Sequence, residues 1–333
     1  MISIAFFNNK GGVGKTTLVS NVAAFLAIER KKRVLVIDVD PQCNATQLIL
    51  DEDEVLSLYE KKDPFTIHSV IHPLSVGKGY SEDLKVMKVP NYGIDLLPGD
   101  PRLALKEDLL SKDWQDALGG DIRGLRTSYL FNDLLSKCSA YDYVLFDMGP
   151  SLGSINRAVL LACDFFVSPM SIDIFSLKAI ENISTAILQW QSKLKNGLQQ
   201  VDPSQKDDIP KGGQFSIKFA GYVSQQYIQK TTGGLKRAVA AYDKIMKRIP
   251  KVIKDNFVEK FGLPNENIKY EIGTIPNLFS LIPMSQAAHR PVFALKAKDG
   301  VRGAHFNKVR EAEQIFANVA DQLIKNIQLL KNP

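Results

Sequence analysis

"FFNNKGGVGKTTLVSN", residues 6–21, decides how the rest of this chain is read. An apolar run, "ISIAFF" (2–7), enters it, and a helical pattern, "TTLVSNVAAFLAIER" (16–30), leaves it. The glycines therefore stand at a strand-to-helix turn. Such a turn aims backbone N–H groups and the positive end of a helix at phosphate oxygens. Gly11, Gly12 and Gly14 let the backbone approach closely and take positive φ where needed, with Val13 on the same turn. Lys15 is placed to reach between β- and γ-phosphates, Thr16 to hold Mg²⁺, and Thr17 to meet the α-phosphate. The stretch departs from the usual loop in two ways. Asn9 occupies the position five residues before Gly14 where glycine is usual, and a second lysine, Lys10, stands beside it.

Further apolar runs follow at strand-like lengths: "RVLVID" (33–38), "GIDLLPG" (93–99), "YDYVLFD" (141–147), "DFFVSPM" (164–170), "FSIKFAGYVSQQY" (215–227) and "IKYEIGTIP" (268–276). Several are continuous, as in strands buried on both faces, and helical patterns lie between them. The expected fold is α/β, a doubly wound and mainly parallel sheet flanked by helices, in a single domain over 1–333. The polar stretch 191–214 reads as an excursion from that fold. At the C-terminus, Phe316, Val319, Leu323, Ile327 and Leu330 recur at helical spacing, predicting an amphipathic helix over 311–331 that packs on the sheet.

A phosphate loop alone hydrolyses nothing; it needs carboxylates at neighbouring strand ends to hold the metal's waters and orient the attacking one. "RVLVID" delivers Asp38 and, two residues on, Asp40, while "YDYVLFD" delivers Asp147. In a parallel sheet all three converge on the loop, because ligands sit at the carboxyl ends of the strands.

"KGGVGKTT", "VLVIDVDPQCNAT" and "YDYVLFDMGPSLGSIN" resemble the deviant Walker A, A′ and B motifs of the ParA/MinD family of P-loop ATPases. Stretches 95–105, 165–180 and 272–293 are similar to its ParA, Soj-like branch. The resemblance implies ATP and Mg²⁺ as cofactors and a homodimer in the ATP state. Lys10 is then the residue that reaches the partner subunit's nucleotide, Asp40 positions the hydrolytic water, and Asp38 and Asp147 support Mg²⁺ through water. Pro276 falls where the family packs a loop against adenine. The resemblance also implies nonspecific DNA binding by the ATP dimer and a stimulating partner of ParB type. Two departures are visible: "DMGPS" has Gly149 where the family has proline, and Gln225 or Gln226 stands where an asparagine often meets the base. Because the loop follows the first strand at once, no N-terminal helix-turn-helix module is expected.

Charge is concentrated. Residues 228–255 hold eight Lys/Arg against two Asp, a surplus equal to the net +6 of the whole chain. On a helical wheel Val239, Tyr242, Met246, Ile249 and Ile253 share one face, and Lys236, Arg237, Lys244, Lys247 and Arg248 lie opposite. Pro250 is expected to kink or end that helix. A basic stripe suits phosphate contacts without base readout, so these five residues are the candidate DNA contacts. The three cysteines (Cys43, Cys138, Cys163) and four histidines are scattered, without metal-ligand spacing. No apolar run approaches the ~18–20 residues that cross a bilayer, so the expectation is a cytoplasmic protein without membrane insertion, nucleoid-associated where it binds DNA. Two other readings stay open: a nucleotide switch within a secretion, conjugation or defence assembly, and a MinD-like membrane-cycling regulator.

Overall fold

The structure, a computed structural model, describes residues 1–209, 215–225, 243–264 and 267–331. Among these, eight strands form one sheet: β1 (Ile2–Phe6), β2 (Val34–Asp38), β3 (Met87–Val89), β4 (Ile94–Leu97), β5 (Tyr143–Asp147), β6 (Phe165–Ser171), β7 (Lys218–Gln225) and β8 (Glu271–Ile275). Their order is β3-β4-β2-β5-β1-β6-β7-β8, and every pairing is parallel except β3 with β4. Each of these strands but β3 coincides with one of the apolar runs, β6 running one residue past the end of its own. The short antiparallel β3, "MKV", is too brief to stand out as an apolar run.

The helices are α1 (Lys15–Ile28), α2 (Asn44–Ile49), α3 (Glu52–Tyr59), α4 (Ile67–Ser75), α5 (Glu107–Leu118), α6 (Ile122–Ser128), α7 (Leu130–Ser136), α8 (Ser154–Ala162), α9 (Ile174–Gln199), α10 (Ile249–Ile253), α11 (Glu259–Phe261), α12 (Leu281–Ala288) and α13 (His305–Lys331). Strand–helix–strand crossovers place them on both faces. β1, β2 and β5 are buried along nearly their whole length, which is why they read as continuous apolar runs. This is the fold of a P-loop NTPase.

α13 starts earlier than the expected 311–331, and all five of its predicted apolar residues are buried. It packs against α1, β7 and β8. The buried Asn326 amide donates to the carbonyls of Ala220 and Lys269, both at 2.8 Å, and so ties the helix to β7 and to the approach to β8. The polar stretch 191–214 divides. Residues up to Gln199 complete α9, because Leu194 and Gly197 pack inward, Gly197 against α5, and Pro203–Asp208 form a 3₁₀ turn; residues 210–214 lie outside the described residues.

Register fixes the geometry that follows. Asp147 at the end of β5 lies opposite Phe6 of β1 on one side and opposite Asp38 of β2 on the other. The two carboxylates and the start of the glycine loop are therefore level at one edge of the sheet.

A phosphate-loop site at the carboxyl edge of the sheet

Residues 7–14 leave β1 and turn into α1. Gly12 has φ 71° and Gly14 φ 67°, the left-handed region that glycine occupies without Cβ strain. Gly11 and Gly12 are exposed, and a Cβ on either would meet nothing within 4 Å, so the mouth of the loop is open. Val13 is buried beneath it. The loop is anchored by Asn8, which is fully buried and donates to the Pro169 carbonyl on β6 at 2.8 Å. Asn8 also accepts the Lys10 backbone N–H at 3.0 Å. Asn8 is a site residue that sequence reasoning misses, as its side chain carries no motif signal.

Lys15 opens α1 and is only 8% exposed. Its ammonium donates to the carbonyls of Asn8 and Lys10, both at 3.3 Å. Burial lowers its pKa, against the opposing fields of Asp147 and Asp40. A buried cation whose hydrogen bonds among the described residues go to neutral carbonyls is matched to an incoming anion.

Thr16 donates its hydroxyl to Asp147 Oδ2 at 2.8 Å. The other oxygen, Asp147 Oδ1, is buried and has no hydrogen-bond partner among the described residues. Asp38 is fully buried, and its Oδ2 accepts both the backbone N–H and the hydroxyl of Thr46, at 2.8 and 2.7 Å. Desolvation pushes Asp38 up to about 6, although the Thr46 bonds work the other way. Desolvation, then the nearby Asp38 charge, raises Asp147 well above the usual carboxylate range. Two acids that resist ionisation beside each other, one with a bare oxygen, fit a hydrated divalent cation. Among the described residues no group of three His, Cys, Asp or Glu is placed to hold a metal directly. The donor set therefore fits Mg²⁺ held by a hydroxyl, phosphates and waters rather than by a carboxylate cage.

Asp40 is 5% exposed and accepts from the Gln42 backbone at 3.0 Å and from the Asn44 amide at 3.2 Å. Gly149 explains its own presence here: a Cβ on it would stand 3.2 Å from Asp40 Oδ1. The glycine in "DMGPS" lets the backbone after β5 close onto Asp40, and the Gly149 carbonyl is held by Asn156 at 2.9 Å.

Thr17 is half-buried at the foot of α1, and its carbonyl accepts from Asn21 at 2.8 Å. Lys10 is on the rim, and its ammonium pairs with Asp173, the N-cap of α9. Sequence reasoning misses Asp173 as well, although "DIFS" after an apolar run carries an N-cap signal. Gln225, at the end of β7, donates its amide to the Gly14 carbonyl at 3.3 Å, so it covers the loop; Gln226 lies outside the described residues. Pro276 is half-buried just past β8, after Ile275, the register partner of Gln225. It shares the edge with the loop but lies beyond β6 and β7 from it.

The basic segment is separate from this site. Lys236 and Arg237 lie outside the described residues. Lys244, Lys247 and Arg248 are exposed, while Ile249 and Ile253 are buried and Met246 is half-buried. Pro250 sits in the first turn of α10, after a break at residues 247–248, where its missing N–H costs nothing.

Comparison with known proteins agrees with the geometry. A family described as an AAA domain matches residues 1–200. The chain belongs to that AAA-domain family. At the sequence level it is also similar to the chromosome partitioning protein ParA of Myxococcus xanthus, 26% identical over 268 residues, 78% of this chain and 79% of that protein. It is 29% identical over 196 residues to the chromosome-partitioning ATPase Soj of Thermus thermophilus, which covers 59% of this chain and 65% of Soj. A crystal structure of protein DIP2308 from Corynebacterium diphtheriae superposes with a TM-score of 0.67 at 32% identity, covering 87% of this chain and 97% of that one. The chain spans 63–65% of the length of several curated relatives that it matches. In sequence the chain is thus similar to proteins named ParA and Soj, at 26% and 29% identity.

Proposed function

We propose that this AAA-domain protein is an ATP-dependent dimerising switch of ParA type. It binds ATP with Mg²⁺, closes as a homodimer around two nucleotides, binds DNA nonspecifically in that state, and hydrolyses ATP slowly until a partner protein stimulates it. One observation carries the reading. The Asp38 and Asp147 carboxylates meet the loop's Lys15 and Thr16 at one level of the sheet, and Asp147 keeps a buried oxygen without a partner among the described residues.

In this reading Lys15 leaves the loop carbonyls for the β- and γ-phosphates, and Gly11 through Gly14 present backbone N–H groups. Thr16 would hold Mg²⁺, and Asp147 and Asp38 would accept hydrogen bonds from its waters. When bound, the cation would supply charge neutralisation at the transferring phosphate. Asp40, fixed by Gln42 and Asn44 and backed by Gly149, orients the attacking water. Lys10 stands on the rim with a side chain 31% exposed, where a second subunit's phosphate can take it. A contact that exists only while the γ-phosphate is present makes dimer affinity depend on nucleotide state.

The basic side chains of the 244–248 segment are the proposed DNA contacts in the described residues. The MinD-like reading is less favoured, since the apolar stripe of α13 is buried in the fold. No helix among the described residues is long and apolar enough to cross a membrane.

Sedimentation with and without DNA, in ATP, ADP and no nucleotide, tests the proposal. Dimers and DNA binding are expected with ATP alone, and Lys10→Ala should remove the dimer while nucleotide still binds. DNA binding absent in every state favours the assembly switch instead, and a Lys10→Ala protein that still dimerises returns Lys10 to an incidental rim charge.

A further inference from the structure

The loop that leaves β5 closes on Asp40, and one side-chain amide holds it there. Residues 148–153 run from Asp147 to the start of α8, with Pro150 and Ser151 exposed. Asn156, in the first turn of α8, is only 3% exposed. Its side-chain nitrogen donates to the Gly149 carbonyl at 2.9 Å and to the Ser151 carbonyl at 2.7 Å. An amide nitrogen carries two hydrogens, so both are used on this one loop. Among the described residues no other group hydrogen-bonds the backbone of residues 149–152. Gly149 is the point at which that backbone meets the acid, since a Cβ there would stand 3.2 Å from Asp40 Oδ1.

Asn156 is a fixed post because α8 is clamped to α5. The Glu107 carboxylate, at the start of α5, accepts the Ser154 N–H at 2.7 Å, and the Ser154 hydroxyl donates to the Glu107 carbonyl at 2.7 Å. Gly153 admits that carboxylate, as a Cβ on it would come within 2.8 Å of Glu107 Oε1. One residue past Asn156, the Arg157 guanidinium lies over the Trp114 ring of α5, 4.3 Å from its centroid. Burial lowers the Arg157 pKa to about 10, against the field of Glu107, so the guanidinium is well enclosed.

We infer that Asn156 is a positioning residue for Asp40: by holding two carbonyls of the loop it keeps Gly149 against the Asp40 carboxylate and so fixes the direction in which Asp40 holds a water. The inference rests on the proposed ATPase reading for the water, whereas the hold on the loop is a property of the nucleotide-free chain. Without the amide both carbonyls turn to solvent, and the loop leaves Asp40 open to bulk water. A displacement of about 1 Å in a group that orients a reactant can lower a rate about a hundredfold. The Asn156 bonds touch neither Lys15 nor Thr16, so nucleotide affinity is independent of them.

The test uses the full chain and two variants. Asn156→Asp keeps the shape of the side chain and removes the amide donors, and Asn156→Ala removes them without burying a charge. Single-turnover hydrolysis of ATP with Mg²⁺ should slow about ten- to hundredfold in both. The half-saturating ATP concentration and the affinity for ADP should stay within about twofold of the parent. In nucleotide-free protein carrying isotope-labelled glycine, the Gly149 amide order parameter should fall from about 0.85 to below about 0.6, while that of Gly197 within α9 stays high. A single-turnover rate at or above the parent's in both variants overturns the positioning role, and so does a slowing that weaker nucleotide binding accounts for. A Gly149 that stays rigid in both variants overturns the hold. A parent chain that hydrolyses no ATP overturns the ATPase reading and the water-orienting role with it, and the glycine measurement still decides the hold.

Discussion

At the residue scale the proposed nucleotide site holds an electrostatic tension that Lys15 and Thr16 offset only in part. Asp38 and Asp147 are buried side by side, and desolvation raises both, Asp38 to about 6. The sign follows from proton binding. A carboxyl whose folded-state pKa exceeds its unfolded value binds protons better when folded, so its stabilising contribution is complete below about pH 4. It is lost as pH rises through about 6. A shift from 3.8 to about 6 corresponds to about 3 kcal/mol at neutral pH, shared across a coupled pair. Asp147→Asn removes one of the two charges and can keep the Thr16 bond through its amide oxygen. Without nucleotide the variant is expected to melt about 2–6 °C above the parent at pH 7 and level with it near pH 4. In the parent, Mg²⁺ with nucleotide should supply the missing countercharge, so its stabilising effect grows as pH rises through about 6; in Asp147→Asn it should largely vanish. Differential scanning fluorimetry over about pH 4–8, with and without Mg²⁺ and ADP, checks both. A variant that melts lower at pH 7 means the buried pair is neutralised by other means.

At the element scale, α9 joins the rim of the site to the basic segment. Its first turn is capped by Asp173, and further along Ser184 donates its hydroxyl to the Asn256 carbonyl at 2.7 Å. Asn256 lies in the π turn Lys254–Val258, the kind of irregularity that frees a carbonyl from the α-helical ladder. The Phe257 ring of that turn stacks on Phe219 of β7, centroids 4.3 Å apart. Ser184→Ala leaves the Asn256 carbonyl buried without that donor and is expected to cost about 1–2 kcal/mol, read as a lower urea midpoint with an unchanged slope. What is legible in the sequence follows the same division. The three strand-end motifs are readable because continuous apolar runs end in a glycine loop or in carboxylates at the sheet edge, which needs only local pattern and parallel topology. α13 is readable from its 3/4 spacing, though the buried Asn326 within it is not: a polar residue on an apolar stripe has meaning only once Ala220 and Lys269 are opposite. Asn8 and Asp173 escape for a like reason, since each acts on a residue distant in sequence or on backbone. Residues 191–199 read as an excursion because many of their polar side chains face solvent, while Gly197, packed against α5, gives no periodic signal.

At the scale of the whole molecule, the surplus of positive charge is concentrated in one segment rather than spread over the chain. The surplus of 228–255 equals the net charge of the chain, so the rest is neutral overall and has no bulk attraction for a polyanion. The proposed nonspecific DNA binding is therefore expected from this segment, with a strength that falls steeply with salt. Each phosphate neutralised contributes a slope of about −0.9 in log affinity against log salt. Lys244, Lys247 and Arg248 are exposed while Ile249 and Ile253 beneath them are buried, so reversing the three charges leaves the packing face intact. The triple variant Lys244→Glu, Lys247→Glu, Arg248→Glu is expected to keep the parent's melting temperature within about 1 °C, as surface changes usually do. With ATP, its affinity for a random duplex at low salt should fall by at least about tenfold, with the salt slope shallower by about one for every phosphate the variant no longer neutralises. Fluorescence anisotropy across a salt series reads both quantities together, and they separate two causes of weaker binding. A drop in affinity with the slope unchanged means that the charges act through dimer formation or fold and not on phosphates. A parallel drop in slope and affinity places the polyanion on the 244–248 face.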